Sequence, residues 1–362
     1  MKVLILNNHF NTGGVTSYIL NLKRGFKSLG LKAFVASAGG DLELALEDKH
    51  IRIPISTKSE ISYKIIKSFN RLAPYLEDVG LVHANTRVTQ ALAKYINFQT
   101  GTPYITTWHG YHKVKIKHRI FPYWGERVIA ISNFVRNHLI DDFKLPPFKV
   151  RLIYNGIDLD SFSSYQNQGA SFLEELNLDK DSFIVSALGR LSDVKGFNFL
   201  LEAFSIFHAK HPSSTLLLAG EGKERRAIES KIRELGLGNS IKLLGLVHDI
   251  RKLLSVSDVF IQPSIMEGLG ISILEALSMG LAVIATEVGG IPEIVKSEYN
   301  GLLIKPESAD SLATALFKLK ENDVLRTKLS ENALKSVSKF SYTDMATKTF
   351  NLYKEIRNEN QI

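Results

Sequence analysis

Short apolar runs recur along the chain, each followed by a polar or glycine-containing loop and then by a longer stretch with apolar residues at helical spacing. Val3 to Leu6 is the first such run; a loop from Asn7 to Gly14 follows, and Val15 to Leu29 has the period of a helix. Further strands are predicted at Lys32 to Ser37, Leu81 to Ala84, Tyr104 to Trp108, Arg127 to Ile131 and Val150 to Ile153. A second series begins at Phe183 to Leu188 and continues through Thr215 to Ala219, Ile241 to Leu244, Val259 to Gln262, Ala282 to Thr286 and Gly301 to Ile304. Alternation of this kind predicts parallel sheets covered by helices, an α/β architecture. Between the two series, Ser161 to Ser171 turns polar, with Ser163, Ser164, Gln166, Asn167, Gln168 and Gly169, and reads as an interdomain linker. The expected domains are therefore 1–162 and 163–340, followed by a terminal helical segment, 341–362.

A chain of 362 residues with 44% hydrophobic content has material for two cores. It contains no cysteine, which excludes disulfide staples and thiolate metal sites and agrees with a reducing compartment. Val3 to Leu6 is shorter than a signal-peptide core, and no run approaches the roughly 20 apolar residues of a membrane span. A soluble or peripheral, cytoplasmic protein is expected.

In an open parallel sheet, ligands sit at the carboxyl ends of strands, so the loops there are the places to look for chemistry. After Phe183 to Leu188 comes GRLSDVKG, Gly189 to Gly196, which sets Arg190 and Lys195 where two cations can hold a diphosphate. After Val259 to Gln262 comes EGLGISILE, with Glu267 and Glu275 flanking a glycine-broken loop that leads into a helix beginning near Ser272. Gly268 and Gly270 allow that loop to turn its amides toward an anion. Cations for phosphate and carboxylates for hydroxyls together describe nucleotide-sugar chemistry. A nicotinamide reading lacks its signature: it needs G-x-G-x-x-G and an acidic residue at the end of strand two, whereas the chain offers only Gly13-Gly14 and Ser37-Ala38-Gly39-Gly40. The histidines show no HExxH pattern, and no clustered carboxylates suggest a metal.

These motifs, taken in order, resemble the retaining glycosyltransferases of family four, the "group one" class with the GT-B fold. The resemblance rests on Gly13-Gly14, Asn155-Gly156-Ile157-Asp158, Gly189 to Gly196, Gly220-Glu221-Gly222, Gly245 to Asp249 and Glu267 to Glu275. Gly289-Gly290-Ile291-Pro292-Glu293 and Gly301-Leu302-Leu303 add to it. It implies two Rossmann-like parallel-sheet domains facing a central cleft, the first on the acceptor side and the second binding the nucleotide sugar, with the last helix crossing back to the first domain. From the residues alone, that helix could equally cap the second domain.

The resemblance also implies roles. Gly13 and Gly14 amides help hold the donor phosphates, and Gly189, Arg190 and Lys195 serve the diphosphate. Glu267 takes the donor sugar's hydroxyls and Glu275 the ribose hydroxyls, while amides of Gly268, Leu269, Gly270 and Ile271 complete the contacts. The base is expected near Gly245 to Asp249 and Gly220 to Gly222, where Glu221 is either a contact or a surface acid. His109, at the end of Tyr104 to Trp108, is a structural histidine or, as the resemblance implies, the group beside the anomeric carbon. Asn85 and Ser132, at neighbouring strand ends, are acceptor-pocket residues or helix caps. The catalytic set is then His109, Arg190, Lys195 and Glu267. The expected activity is that of a retaining hexosyltransferase that uses a nucleoside diphosphate sugar and needs neither cofactor nor metal. The acceptor would be a lipid-linked molecule or a polysaccharide in cell-envelope glycan synthesis. A sugar-nucleotide epimerase and a catalytically silent nucleotide-sugar-binding subunit are the alternatives.

Charge adds one further expectation. The net charge is +8. Met1 to Tyr165 carries 22 Lys+Arg against 12 Asp+Glu, and the remainder 23 against 25, a split of +10 to −2. The densest basic stretch, Lys113, Lys115, Lys117 and Arg119, is interleaved with Val114, Ile116, Ile120 and Phe121. Lys64, Lys67 and Arg71 line one side of a helix that also holds Ile65, Ile66, Phe69 and Leu72. Such a surface suits anionic headgroups at the inner face of a membrane, or it is an ordinary solvated face. No nucleic-acid-binding motif accompanies it.

Overall fold

The computed structural model describes residues 1–55, 59–60, 62–116, 118, 121–165 and 169–359. The chain divides into two compact units, Met1–Gly156 with Phe340–Ile362, and Ile157–Lys339. In unit 1 the strands are β1 (Lys2–Leu6), β2 (Lys32–Ser37), β3 (His50–Arg52), β4 (Val79–Ala84), β5 (Tyr104–Trp108), β6 (Val128–Ala130) and β7 (Val150–Leu152). They form one sheet in the order β3-β2-β1-β4-β5-β6-β7, parallel throughout. Helices cover both faces, so most strand positions are apolar on both sides and register in the sequence as hydrophobic runs, interrupted by the buried His83 in β4 and Thr106 and Thr107 in β5. On one face Ile19, Leu22 and Phe26 of helix Gly14–Ser28 meet Leu352, Tyr353 and Ile356 of helix Tyr342–Glu359. On the other, Ile65 and Leu72 of helix Tyr63–Leu76 meet Leu92 and Ile96 of helix Arg87–Thr100.

Helix Tyr342–Glu359 belongs to unit 1 and packs along helix Gly14–Ser28. The Asn155-Gly156-Ile157-Asp158 turn explains how the chain re-enters there. A Cβ on Gly156 would fall 2.2 Å from the Ser341 carbonyl oxygen, and the Gly156 N–H donates to Met345 Sδ at 3.2 Å. Only glycine permits that approach.

In unit 2 the strands are β8 (Phe183–Leu188), β9 (Ser214–Ala219), β10 (Ile241–Gly245), β11 (Val259–Gln262), β12 (Ala282–Thr286) and β13 (Gly301–Ile304). Their order is β10-β9-β8-β11-β12-β13, again all parallel. Phe197, Leu200, Phe204 and Phe207 anchor the larger core beneath helix Phe197–Lys210.

Two details depart from the sequence reading. Strand β3 was not expected; it is a three-residue edge strand with two polar positions, too short and too mixed to show a period. The expected linker is partly structured, and the division between the units falls at Gly156/Ile157, ahead of residue 162. Within it, helix Leu159–Ser163 buries Phe162 and packs on helix Ile271–Ser278. Arg251 fastens it further, donating from Nη1 to Ser161 Oγ at 2.9 Å and lying over the Tyr165 ring at 4.9 Å. The serines that made the stretch look like a linker are the outward side of this helix. Gln166, Asn167 and Gln168 lie outside the described residues.

Strand order reverses once in each sheet, between β1 and β4 in unit 1 and between β8 and β11 in unit 2. Such reversals open a crevice at the carboxyl ends of the strands. The Gly13-Gly14, Asn85, GRLSDVKG and EGLGISILE segments leave from those four strands and His109 from β5 beside them, whereas Ser132, Gly220 to Gly222 and Gly245 to Asp249 follow β6, β9 and β10.

Candidate active site

At the unit 2 reversal, the loops after β8 and β11 are laced together by their backbones. Ile265 N–H donates to the Val194 carbonyl at 2.9 Å. Across this seam Lys195 Nζ donates to Glu267 Oε2 at 2.6 Å, with both side chains largely buried. Ser264 Oγ donates to the same carboxylate oxygen at 3.2 Å. Ser264 is itself held by the Gln262 amide at 2.7 Å, and Gln262 Oε1 accepts from Ser272 Oγ at 2.7 Å. Gln262 and Ser264 are fully buried, so the charged pair rests on a fixed polar floor. The backbone of Glu267 is pinned from the next loop: Gly290 N–H donates to its carbonyl at 3.3 Å. Gly289, at φ 56°, comes so near that a Cβ would lie 1.8 Å from that carbonyl oxygen. This gives the Gly289-Gly290 pair its physical reason.

From Glu267 the chain passes Gly268 and the buried Leu269 to Gly270, which stands in the left-handed region immediately before helix Ile271–Ser278. The helix starts at Ile271, one residue before the expected Ser272. Leu269 is an anchor: its side chain goes into the core, leaving its backbone to line the loop. Glu275 lies within this helix, half-buried, and among the described residues its carboxylate accepts no hydrogen bond. Loss of water around it pushes its pKa up to about 7.

Arg190 is exposed, and its guanidinium makes no hydrogen bond or ion pair among the described residues. It sits beside two further loops at the same sheet end. Gly189 N–H donates to the Ala219 carbonyl at 3.0 Å, Leu191 N–H to Glu221 at 3.0 Å, and Gly220 N–H to Gly245 at 2.7 Å. The three glycine motifs after β8, β9 and β10 are thus one continuous rim. Glu221 is ion-paired with Arg225. Asp249 is engaged by Arg251 through two bonds, of 2.7 and 2.8 Å, and caps the helix that begins at Ile250.

In unit 1, Gly13 stands immediately before helix Gly14–Ser28, and the loop from β1 is tied down by Asp41, which accepts from Thr12 N–H at 2.7 Å and from Thr12 Oγ1 at 2.9 Å. His109 follows β5. Its Nε2 lies 3.0 Å from Asn85 Oδ1, and its ring meets the edge of Tyr18 at 4.8 Å between centroids. Burial, with a smaller contribution from His112, pushes its pKa down to about 3. Ser132 proves to be a helix cap, accepting from Val135 N–H at 3.1 Å. Asn85 is not a cap; Thr86 holds that position for helix Arg87–Thr100.

The chain matches the model of "Glycosyl transferases group 1" over residues 170–336 and that of "Glycosyltransferase Family 4" over residues 12–161. It belongs to the group 1 glycosyltransferases of family four. An uncharacterised glycosyltransferase of Methanocaldococcus jannaschii is 32% identical over 234 residues, 63% of this chain and 60% of that relative. The Escherichia coli UDP-Gal:alpha-D-GlcNAc-diphosphoundecaprenol alpha-1,3-galactosyltransferase is 28% identical over 321 residues, 84% of this chain and 81% of the relative. Among solved structures, Anabaena HepE in complex with UDP-glucose superposes with a TM-score of 0.85 at 22% identity, over 98% of this chain and 100% of that one. At that identity the likeness speaks for the fold, and the fold class of this glycosyltransferase is GT-B: two parallel-sheet, Rossmann-like domains.

In this glycosyltransferase, Lys195 and Glu267, assigned separately from the sequence, are brought into direct contact, whereas Arg190 and Glu275 have no side-chain partner among the described residues. Sequence reasoning missed the floor of Gln262, Ser264 and Ser272 as well as the Asn85–His109 contact. The only trace of the floor is that uncharged polar residues follow directly on the apolar run of β11. In the basic unit, Lys113, Lys115, Lys67 and Arg71 are exposed, as are Tyr63, Ile66 and Ile116. Lys117, Arg119 and Ile120 lie outside the described residues. No helix among the described residues is long and apolar enough to cross a membrane.

Proposed function

We propose that this glycosyltransferase is a retaining, metal-independent hexosyltransferase that takes its sugar from a nucleoside diphosphate and delivers it to a glycan or lipid-linked acceptor in cell-envelope glycan synthesis. The observation that carries the reading is the Lys195–Glu267 pair at the strand-order reversal of unit 2. It places a cation and a carboxylate side by side, next to a helix N-terminus and to Arg190, whose guanidinium has no partner among the described residues.

A diphosphate recruits that cation. Lys195 exchanges one carboxylate oxygen for a phosphate oxygen, Arg190 binds through its planar fork, and the amides of Gly268 to Ile271 add donors. The Gly13 and Gly14 amides keep the phosphate role that the resemblance implies. As the bond from the anomeric carbon to phosphate breaks, negative charge grows on the diphosphate. Donors already fixed there stabilise the transition state more than the ground state. Glu267, released from Lys195, accepts from donor-sugar hydroxyls; Glu275 accepts from the ribose hydroxyls. His109 supports the positive charge that develops on the sugar. The acceptor hydroxyl attacks from the face that the phosphate leaves, and its proton passes to the departing phosphate oxygen, so the anomeric configuration is retained. The activity of the Escherichia coli relative, galactosyl transfer to a diphosphoundecaprenol-linked sugar, supports a nucleotide-sugar donor and a lipid-linked acceptor. The basic unit supports action at the inner membrane face from the cytoplasm.

The test is to incubate the enzyme with UDP-, GDP- and ADP-linked hexoses, with and without a lipid-linked or glycan acceptor, in EDTA, and to read the anomeric coupling of the product by NMR. Acceptor-dependent product of unchanged configuration is expected. Acceptor-independent interconversion of the sugar would point to an epimerase, binding without turnover to a silent subunit, and inversion or a need for metal would refute the mechanism.

A further inference from the structure

Asn85 leaves β4 at the strand-order reversal of unit 1, and its hydrogen bonds determine which way its amide faces. Its backbone N–H donates to the Leu6 carbonyl at 3.1 Å, and its side-chain Nδ2 lies 3.3 Å from the same oxygen. A carbonyl only accepts, so the amide nitrogen must face Leu6 and Oδ1 must face His109 Nε2, 3.0 Å away. Oδ1 in turn only accepts, which puts a hydrogen on Nε2. The ring is neutral at working pH because burial holds its pKa down to about 3. A neutral imidazole carries one ring hydrogen, so Nδ1 is left with its lone pair. Among the described residues, Nδ1 makes no hydrogen bond.

The ring is also held in place from its side. Tyr18 meets it edge-on at 4.8 Å and 72°. The Tyr18 hydroxyl bonds to Thr107 Oγ1 at 3.2 Å, Thr107 Oγ1 to His83 Nε2 at 2.6 Å, and His83 Nδ1 to the Tyr353 hydroxyl at 2.6 Å. The titratable groups around His109 are therefore Tyr18 from the first helix, His83 from β4 and His112 from the following loop. Burial holds His83 neutral as well.

We propose that Asn85 is a positioning residue that fixes His109 as the Nε2–H tautomer and so keeps Nδ1 open as an acceptor for a hydroxyl of the sugar substrate. The proposal rests on the reading of His109 as a sugar-facing group. It gives a reason for an amide at this position. An aspartate there would favour a second proton on the ring, so that the free acceptor turns into a donor at a higher pH than in the parent. An apolar residue would leave the tautomer unspecified.

The test uses the full chain with 15N-labelled histidine rings, with His109 assigned by loss of its signals in His109→Gln. A protonated Nε2 and a bare Nδ1 are expected, unchanged between pH 5.5 and 8.5. In Asn85→Ala the ring shifts should move toward a mixture of tautomers. With the UDP-, GDP- or ADP-hexose that gives the largest thermal shift, kcat should drop about tenfold, the value of one modest hydrogen bond, with KM little changed. In Asn85→Asp, a carboxylate beside the imidazole raises its pKa by about 1–3 units. The acid limb of kcat/KM should then move from about pH 3 in the parent to about pH 4–6 in the variant, read in a profile carried down to about pH 4. A protonated Nδ1 in the parent, or ring shifts unmoved in Asn85→Ala, overturns the proposal. Ring shifts that respond as stated while the kinetics of both variants match the parent would keep the tautomer assignment and overturn the reading of His109 as a sugar-facing group.

Discussion

Glu275 offers a test in which stability and ligand binding must move together. Its carboxyl is pushed from an ordinary 4.5 to about 7 by burial alone, with no opposing cation or hydrogen bond among the causes. At 1.36 kcal/mol per unit, ionising it in the folded protein costs about 3 kcal/mol. The sign follows from linkage. The folded state holds this proton more tightly than the unfolded state, so the contribution to stability is full below pH 4.5. It declines as pH rises through 7 and is lost above that. Glu275→Gln has no such proton to lose. It should match the parent near pH 4.5 and exceed it by up to about 3 kcal/mol at pH 8, a rise of roughly 6–12 °C in the melting of a unit of this size. Binding should show the reverse. If ribose hydroxyls donate to the carboxylate, a nucleoside diphosphate favours the ionised form and expels the proton. At pH 6.5, about three-quarters of a proton should be released per ligand bound, readable by calorimetry in buffers of different ionisation heat. The glutamine variant should release none from this position and should bind UDP, GDP and ADP more weakly by roughly 10- to 150-fold, the worth of about 1.5–3 kcal/mol for a charge-assisted bond. A variant that melts with the parent at pH 8, or binds nucleotide with the same affinity and proton release, would refute the reasoning.

The phosphate cations and the membrane face give further expectations. Lys195→Ala should lower kcat/KM by roughly 10- to 150-fold while circular dichroism shows an intact fold; unchanged donor kinetics would remove Lys195 from the diphosphate. Glu267→Gln should lower turnover yet leave binding of the bare nucleoside diphosphate equal or tighter, because it frees Lys195 from the 2.6 Å pair; calorimetry that finds weaker binding would count against competition between carboxylate and phosphate. Replacing Lys113, Lys115 and Lys117 by serine should reduce co-sedimentation with anionic liposomes at low salt, where screening beyond about 8 Å has not yet removed exposed charge. Binding that ignores both salt and the triple substitution would leave these lysines as solvated residues.

The parts of the fold legible from the sequence share a physical cause. Strands covered on both faces are mostly apolar on both sides, so β1, β8 and β11 stand out as apolar runs, broken in β8 only by Ser186, and the loops after them carry residues with no packing reason to be there. Contacts made only on folding leave no such trace. Lys195 and Glu267 belong to loops after different strands, and nothing in GRLSDVKG or EGLGISILE reveals that one neutralises the other. Edge strand β3 and helix Leu159–Ser163 were hidden by their polar faces, which is also why the unit boundary falls earlier than composition suggested.

The same reasoning separates residues that look alike in the sequence. Glu221, Asp249, Glu267 and Glu275 are all acids at one end of the unit 2 sheet or in the helix beyond it. Glu221 and Asp249 are consumed by Arg225 and Arg251, which leaves them little capacity for a ligand without breaking a local pair. Glu267 is paired with Lys195, and under the proposed function a diphosphate takes over that cation. Glu275 has no partner among the described residues, and burial penalises its ionised form. A buried carboxylate without a partner persists when something else repays its desolvation, and hydroxyl donors from a ligand are groups of the right kind. Under the proposed function, the order in which these acids are satisfied among the described residues of unit 2, from arginine-locked through lysine-shared to unpaired, is an order of increasing readiness to bind.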